Sequence, residues 1–255
     1  MCDTCDCGSN NATVTIRKPG QVYGPPPAAS RTVQVEIDVL AKNAEISAHN
    51  RTFFESKRIL ALNLVSSPGS GKTTILERTI RDMAGRIPMA VIEGDQQTLR
   101  DAERIGATGI EVVQINTGTG CHLDGEMIHG ALHQLTLEPD SILFIENVGN
   151  LVCPALFDLG EAAKVVIIST TEGEDKPQKY PHMFRAASLC LINKTDLLPY
   201  LDFDVAACRE FAREVNPDLE FIEMSATRGT GMAQWYAWLL SREPVGDPAG
   251  THRLL

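Results

Sequence analysis

Ser66-Ser67-Pro68-Gly69-Ser70-Gly71-Lys72-Thr73-Thr74 directly follows the apolar run Ile59 to Val65, so a buried strand feeds a glycine-rich turn and then a helix start. That order predicts a phosphate-binding loop. Gly69 and Gly71 let backbone N–H groups close around phosphate oxygens, with Ser70 and Thr74 in the same cradle; Lys72 reaches the β and γ phosphates, and the Thr73 hydroxyl holds Mg²⁺. The motif usually begins with Gly, and here that position is Ser66. A chance Gly-Ser turn does not explain strand, Gly-Lys-Thr and helix falling in the required order.

The base is read further along. Leu189 to Ile192 is another short apolar strand, ending in Asn193-Lys194-Thr195-Asp196. A carboxylate at Asp196 accepts hydrogen bonds from N1–H and the 2-amino group of guanine, whereas adenine offers neither donor and leaves the carboxylate unpaired. The expected nucleotide is GTP, hydrolysed to GDP. Ser225-Ala226-Thr227, after the strand-like Leu219 to Met224, adds backbone and hydroxyl groups of the kind that border a guanine.

Around these motifs, apolar strands alternate with helix-length stretches. Met89 to Ile92, Ile110 to Ile115, Ile142 to Ile145, Val165 to Ser169, Leu189 to Ile192 and Leu219 to Met224 are mostly continuous Val/Ile/Leu runs, suited to strands covered on both faces. Thr73 to Ala84, Thr98 to Ile105, Asp124 to Leu135, Val205 to Val215 and Met232 to Leu240 have helical length and pattern. The expected fold is α/β, a mainly parallel sheet with helices on both faces and ligands at the carboxyl ends of the strands. Residues 33–57 read as a helix leading into the first strand. Pro19-Gly20 and Gly24-Pro25-Pro26-Pro27 mark a linker. The expected organisation is an N-terminal tail and linker over 1–31, one nucleotide-binding domain over 32–245 and a short C-terminal tail over 246–255.

Composition narrows the class. The 255 residues, 43% hydrophobic, can bury a full core, and a net charge of −10 argues against nucleic acid or an anionic membrane surface as partner. No apolar run approaches the length of a membrane span, and the first residues lack the basic and apolar regions of a signal peptide; the expectation is a cytoplasmic protein. In a reducing compartment, seven cysteines read as thiols for metals rather than as a disulfide framework.

Three groups of residues point to cations. Cys2, Cys5 and Cys7 place three thiols within six residues, so that one backbone loop can present three sulfurs to one ion. A square-planar nitrogen and sulfur set there favours Ni²⁺, a tetrahedral set Zn²⁺. Cys121-His122 follows one strand and Cys153 lies beyond the next, so the loops can bring these three ligands to the nucleotide-bearing edge. Glu146-Asn147-Val148-Gly149 stands where a Ras-like protein has Asp-x-x-Gly: Glu146 acts on Mg²⁺ through water, and the Gly149 N–H approaches the γ phosphate. Asp95, in Glu93-Gly94-Asp95, is a second candidate for Mg²⁺ or the attacking water, while Glu93 reads as an ordinary carboxylate.

Cys2-x-x-Cys5-x-Cys7, the loop Ser67 to Thr74, Glu93-Gly94-Asp95, Cys121-His122-Leu123-Asp124, Glu146 to Pro154 and Asn193-Lys194-Thr195-Asp196 together resemble the HypB family of hydrogenase-maturation GTPases, from Cys2 to about Leu240. The resemblance implies a fold of the SIMIBI class of P-loop GTPases, a homodimer promoted by GTP, and partnership with HypA and a hydrogenase large-subunit precursor during nickel insertion. It also implies a tight nickel site at Cys2, Cys5 and Cys7 and a weaker nickel or zinc site at Cys121, His122 and Cys153. Asp6 stands where the family often has Gly, adding negative charge beside the first site. The six histidines are scattered, which argues against a nickel-storage tract. The GTPase that matures urease resembles the chain less, and a metal carrier with a vestigial nucleotide site conflicts with intact Lys72, Thr73 and Asp196.

Overall fold

The computed structural model describes residues 31–96 and 100–242. Cys2, Cys5, Cys7, the Pro/Gly-rich linker before Arg31 and the C-terminal tail lie outside the described residues. Helix α1 (Arg31–Ser56) leads into β1 (Leu60–Ser66), the P-loop and α2 (Lys72–Met83). Then come β2 (Met89–Asp95), α3 (Arg100–Gly106), β3 (Glu111–Asn116), α4 (Gly125–Leu132) and β4 (Ile142–Glu146). The second half runs through β5 (Ala163–Ser169), α5 (Lys176–Lys179), α6 (Pro181–Ala186), β6 (Leu189–Asn193), α7 (Val205–Val215), β7 (Glu220–Glu223) and α8 (Met232–Ser241).

All strand pairings are parallel, in the order β3-β2-β4-β1-β5-β6-β7. Every residue of β1, β4, β5 and β6 is buried, as expected of strands covered on both faces. Alternation along β1 divides the core. Leu60, Leu62 and Leu64 join Ile75, Leu76 and Ile80 of α2 and Trp235 and Leu239 of α8 on one face. On the other, Ala61 packs with Phe54 of α1 and Ile128 of α4, and Val65 with Phe184 of α6 and Cys208 of α7.

The expected strands and helices all occur, with ends shifted by a few residues. The helix expected over Asp124 to Leu135 stops at Leu132, with His133 as its C-cap. Sequence reading named no helix between β5 and β6. There Pro177 and Pro181 each sit in the first turn of a short helix, where the missing N–H costs nothing, and Met183 and Phe184 of the second are fully buried.

Helix starts differ in a way that matters for the site. Asp124 caps α4 by accepting from Met127 N at 2.8 Å, and Asp204 caps α7 by accepting from Ala207 N at 3.0 Å. Helix α2 has no side-chain cap: Gly71, with φ +99°, precedes it, and its first N–H groups stay available. At the other end of the chain, Trp235 of α8 is fully buried and donates its indole N–H to Thr79 Oγ1 of α2 at 2.9 Å.

Trp235→Ala should destabilise the fold by about 3–5 kcal/mol through the cavity it leaves. Trp235→Phe, which keeps most of the packing and drops the bond to Thr79, should cost about 1 kcal/mol. Urea denaturation followed by circular dichroism separates the two; equal losses would place the contribution in the hydrogen bond rather than in packing.

Candidate functional site

The carboxyl ends of β1, β2 and β4 open onto a cavity of about 570 Å³ lined by Ser66, the loop Pro68–Thr74, Glu93 to Gln96, Asp101, Arg104, Glu146 to Gly149 and Lys194. Of the residues that sequence analysis assigned to phosphate and Mg²⁺, Gly69 to Thr74, Asp95, Glu146 and Gly149 all line it. Gly71 is required twice over. Its φ of +99° strains any side chain, and a Cβ there would stand 2.5 Å from Asn193 Nδ2. Lys72, buried among these groups, donates to Ser66 Oγ at 3.1 Å, so the serine at the motif's first position supplies an acceptor that glycine lacks.

A second, smaller cavity of about 220 Å³ adjoins the loop and is lined by Gly71, Thr74, Asn193, Lys194, Asp196, Leu197, Ala226 and Thr227. Asn193 works as a clamp. Its Nδ2 donates to Ser70 O at 2.9 Å and its Oδ1 accepts from Ala226 N at 3.2 Å, tying the phosphate loop to the loop after β7. Lys194, with φ +62°, crosses over the loop and donates to Gly69 O at 2.7 Å. Ser225 is buried and does not line this cavity; its Oγ accepts from Arg228 N and pairs with Thr227 Oγ1, shaping the turn.

Carboxylates meet at the phosphate end. Thr73 Oγ1 donates to Glu146 Oε1 at 2.8 Å. Glu93 is level with Glu146 across the β2–β4 pair, and both are almost fully buried. Glu93 Oε2 and Glu146 Oε2 are buried without a protein partner. Burial pushes the Glu93 carboxyl up to about 8, helped by the neighbouring charges of Glu146 and Asp95, and burial also raises Glu146 against the opposing pull of Lys72 and Thr73. Orphaned carboxylate oxygens beside a threonine hydroxyl are a donor set that fits a hard divalent cation. Sequence reading took Glu93 as an ordinary carboxylate; the signal was an acid that directly closes the apolar run Met89 to Ile92.

Arg104 of α3 also lines this cavity, with one arm on Asp101 at 3.0 Å and the other on Glu77 at 2.8 Å.

The structure brings Cys121, His122 and Cys153 together although the strands before their loops are not neighbours, β2 lying between β3 and β4. Cys121 Sγ lies 3.1 Å from Cys153 Sγ and 3.8 Å from His122 Nδ1, and one ligand atom from each residue falls within 4.8 Å of the others. Both cysteines are free thiols. The His122 ring stacks on Phe157 with centroids 4.0 Å apart, and burial holds its pKa below the ordinary value, against the opposing charge of Asp124. The Cys121 hydrogen bond raises the Cys153 thiol, with burial adding to it. Two thiols and a neutral imidazole suit a borderline transition-metal ion.

Phosphate cavity and thiol cluster are joined through buried amides. Asn147, next to Glu146, accepts from Leu123 N at 3.1 Å, next to His122, and donates to Asn63 Oδ1 at 3.1 Å. Asn150 donates to Cys121 O at 3.2 Å, so the β4 loop grips the cysteine loop at two points.

Residues 60–223 match the family described as CobW/HypB/UreG, nucleotide-binding domain. A hydrogenase maturation factor HypB from Azotobacter vinelandii is 60% identical over 221 residues, covering 87% of this chain and 73% of that protein. The chain belongs to the HypB family of hydrogenase maturation factors. Two solved HypB structures agree with the fold. The Helicobacter pylori protein, crystallised in complex with nickel, has a TM-score of 0.76 at 38% identity over 79% of this chain and 95% of that one. The Archaeoglobus fulgidus protein has a TM-score of 0.73 at 38% identity, covering 79% and 98%. A nucleotide-binding P-loop domain in a family of hydrogenase maturation is therefore the established frame. Among the described residues, no helix is long and apolar enough to cross a membrane.

Glu93 carries a pH signature. Its folded value lies above the unfolded one of 4.5, so the native protein keeps a proton that the unfolded chain releases, and stability is lost as pH rises from there towards about 8. Glu93→Gln should therefore gain stability over the parent as pH climbs from about 5 to about 8 in chelator-treated protein. Parallel melting-temperature profiles for the two proteins would show that the carboxyl is already ionised in the fold.

Proposed function

We propose that the chain is a GTP-hydrolysing nickel metallochaperone that assists nickel insertion into a nickel-iron hydrogenase, with nucleotide state coupled to metal binding and dimerisation. The observation that carries the reading is the Asn147–Leu123 bond, which sets a phosphate-side carboxylate and a thiol–imidazole cluster two residues apart through one buried amide. Nickel as cargo is supported by the nickel complex of the H. pylori relative. HypA, a hydrogenase large-subunit precursor and a cytoplasmic setting belong to the same reading.

GTP lies with its phosphates on the loop Gly69 to Thr74 and its base at Asp196. The uncapped start of α2 gives its N–H groups to phosphate oxygens, where the helix dipole also favours negative charge. Lys72 exchanges Ser66 Oγ for a phosphate oxygen. Asp196 accepts from guanine, while Asn193 and Lys194 hold the loops, Ala226 borders the base and Ser225 shapes the turn that carries it. Mg²⁺ would be held by Thr73, Glu146 and Asp95, with Glu93 behind them, and when bound it neutralises charge between the phosphates. Asp95 and Glu146 are placed to orient a water, whose oxygen bonds to the γ phosphorus as the bond to the β–γ bridging oxygen breaks, leaving GDP and phosphate. Both arms of Arg104 are engaged by carboxylates, so intrinsic hydrolysis is expected to be slow.

Rearrangement at Glu146 on hydrolysis reaches Cys121 and His122 through Asn147, and changes the metal's ligand geometry. Cys2, Cys5 and Cys7 form the tighter nickel site, and Cys121, His122 and Cys153 the exchangeable nickel or zinc site. Two chains pair when GTP is bound, through the loop carrying Leu197 and Leu201, where Tyr200 is 82% exposed.

Asp196→Asn should weaken GTP and relax its preference over ATP, and Lys72→Ala should abolish phosphate release; equal GTP and ATP affinity in the parent overturns the guanine assignment. Sedimentation with a non-hydrolysable GTP analogue, parent against Leu197→Ala/Leu201→Ala, reports the pairing, and an unchanged dimer removes this contact. Replacing Cys2, Cys5 and Cys7 by Ala should eliminate the tighter nickel ion and leave GTP hydrolysis near normal, since a Pro/Gly-rich linker intervenes in sequence. Nickel titration with phosphate-release assays tests this, and loss of hydrolysis would make the tail part of the enzyme site.

A further inference from the structure

Sequence reading took the six histidines as scattered. The fold gathers three of them. His129 lies in the last turn of α4 and His133 is its C-cap, one turn on. Their Nε2 atoms face each other at 3.3 Å, with ring planes at 87°. His49, exposed on α1, stands edge-on to His129 with ring centroids 5.1 Å apart.

The tautomer of His129 follows from its neighbour. Asn50 is fully buried, and its Nδ2 donates to Gly125 O at 2.9 Å and Leu159 O at 3.3 Å. Those two bonds fix the amide, so the atom 3.3 Å from His129 Nδ1 is the Asn50 carbonyl oxygen, an acceptor only. His129 Nδ1 therefore carries the hydrogen and donates, and the lone pair of the neutral ring is on Nε2, directed at His133. An imidazole whose far nitrogen is held by a fixed acceptor is the outer-shell arrangement of a metal-ligating histidine.

We infer that His129 and His133 form a surface site for a borderline divalent transition-metal ion, built from different residues than the cysteine cluster. Two nitrogens 3.3 Å apart subtend about 104–111° at an ion about 2.0–2.1 Å from each, close to the tetrahedral angle preferred by Zn²⁺. Imidazole nitrogens also accept Ni²⁺ and Cu²⁺, so the site belongs to the class of ions that the family handles. Without an ion, His133 Nε2–H donates to His129 Nε2; on binding, His133 adopts its Nδ1–H tautomer and no net proton is released. Among the described residues only the Cys121, His122 and Cys153 group brings three such ligand atoms together, so the histidine pair is the weaker site, completed by water and by rotation of His49.

Full-length protein is dialysed against rising Zn²⁺, alongside His133→Gln and Cys121→Ser/Cys153→Ser. The parent and the cysteine variant should each hold one ion per chain that His133→Gln loses, with affinity falling by more than the roughly 10- to 100-fold typical of losing an outer-shell partner. His133 is exposed, so this change leaves the core intact. On the parent alone, ring ¹⁵N spectra should show His129 and His133 Nε2 shifting together once the thiol sites are filled. Equal ion counts in parent and His133→Gln, or unmoved ring signals, overturn the site. Nickel binding at the cysteine cluster is read separately in His133→Gln, so its failure and that of the histidine pair are distinguishable.

Discussion

The buried side chain of Asn147 is the joint on which the two halves of the site depend. Its amide is 1% exposed and uses both ends: Oδ1 accepts from Leu123 N and Val148 N, and Nδ2 donates to Asn63 at the centre of β1. Asn63 continues the chain to Glu161, which pairs with Lys164 and accepts from Leu159 N. A buried polar chain is stable only when each member is satisfied, and this one is. It fixes the loop carrying His122, the end of β4 carrying Glu146 and the 159–161 turn relative to one another. Leaving any of its amides unpaired would incur the desolvation cost of a buried polar group.

A second constraint acts at the strand ends. Parallel pairing sets Glu93 level with Glu146, next to a helix start that lacks a cap. Carboxyl oxygens without a partner thus lie beside helix N–H groups without a cap. The protonated Glu93 and the Lys72–Ser66 bond are how the chain tolerates that arrangement. Polyphosphate and a hard cation satisfy both sets at once, which makes the loop a receptor instead of a defect.

Much of this was legible in the residues. The strand, Gly-Lys-Thr and Asn-Lys-x-Asp segments have fixed local chemistry, and their order along the chain fixed the sheet edge on which they meet. The cysteine cluster was readable only as two loops at the same edge of the sheet: β2 lies between β3 and β4, so it is the reach of the loops after them, and not strand adjacency, that brings the thiols together. What escaped shares one cause. Asn63 is a single polar residue inside an apolar run and Glu93 closes another, and the role of each depends on which neighbour lies level with it across the sheet. His49 and His129 stand 80 positions apart on different helices, so only the docking of α1 beside α4 reveals them as neighbours.

Both tryptophans of the chain lie on α8, stacked with centroids 5.5 Å apart, and both belong to the core on the α2 face of the sheet. Leu123 and Leu151, which flank the metal-ligand loops, pack on the opposite face. Intrinsic fluorescence is therefore a one-sided instrument for this protein. Through its bond to Thr79, Trp235 is wired to the helix that begins at Lys72, so its emission listens to the nucleotide loop while the thiol cluster stays out of its hearing.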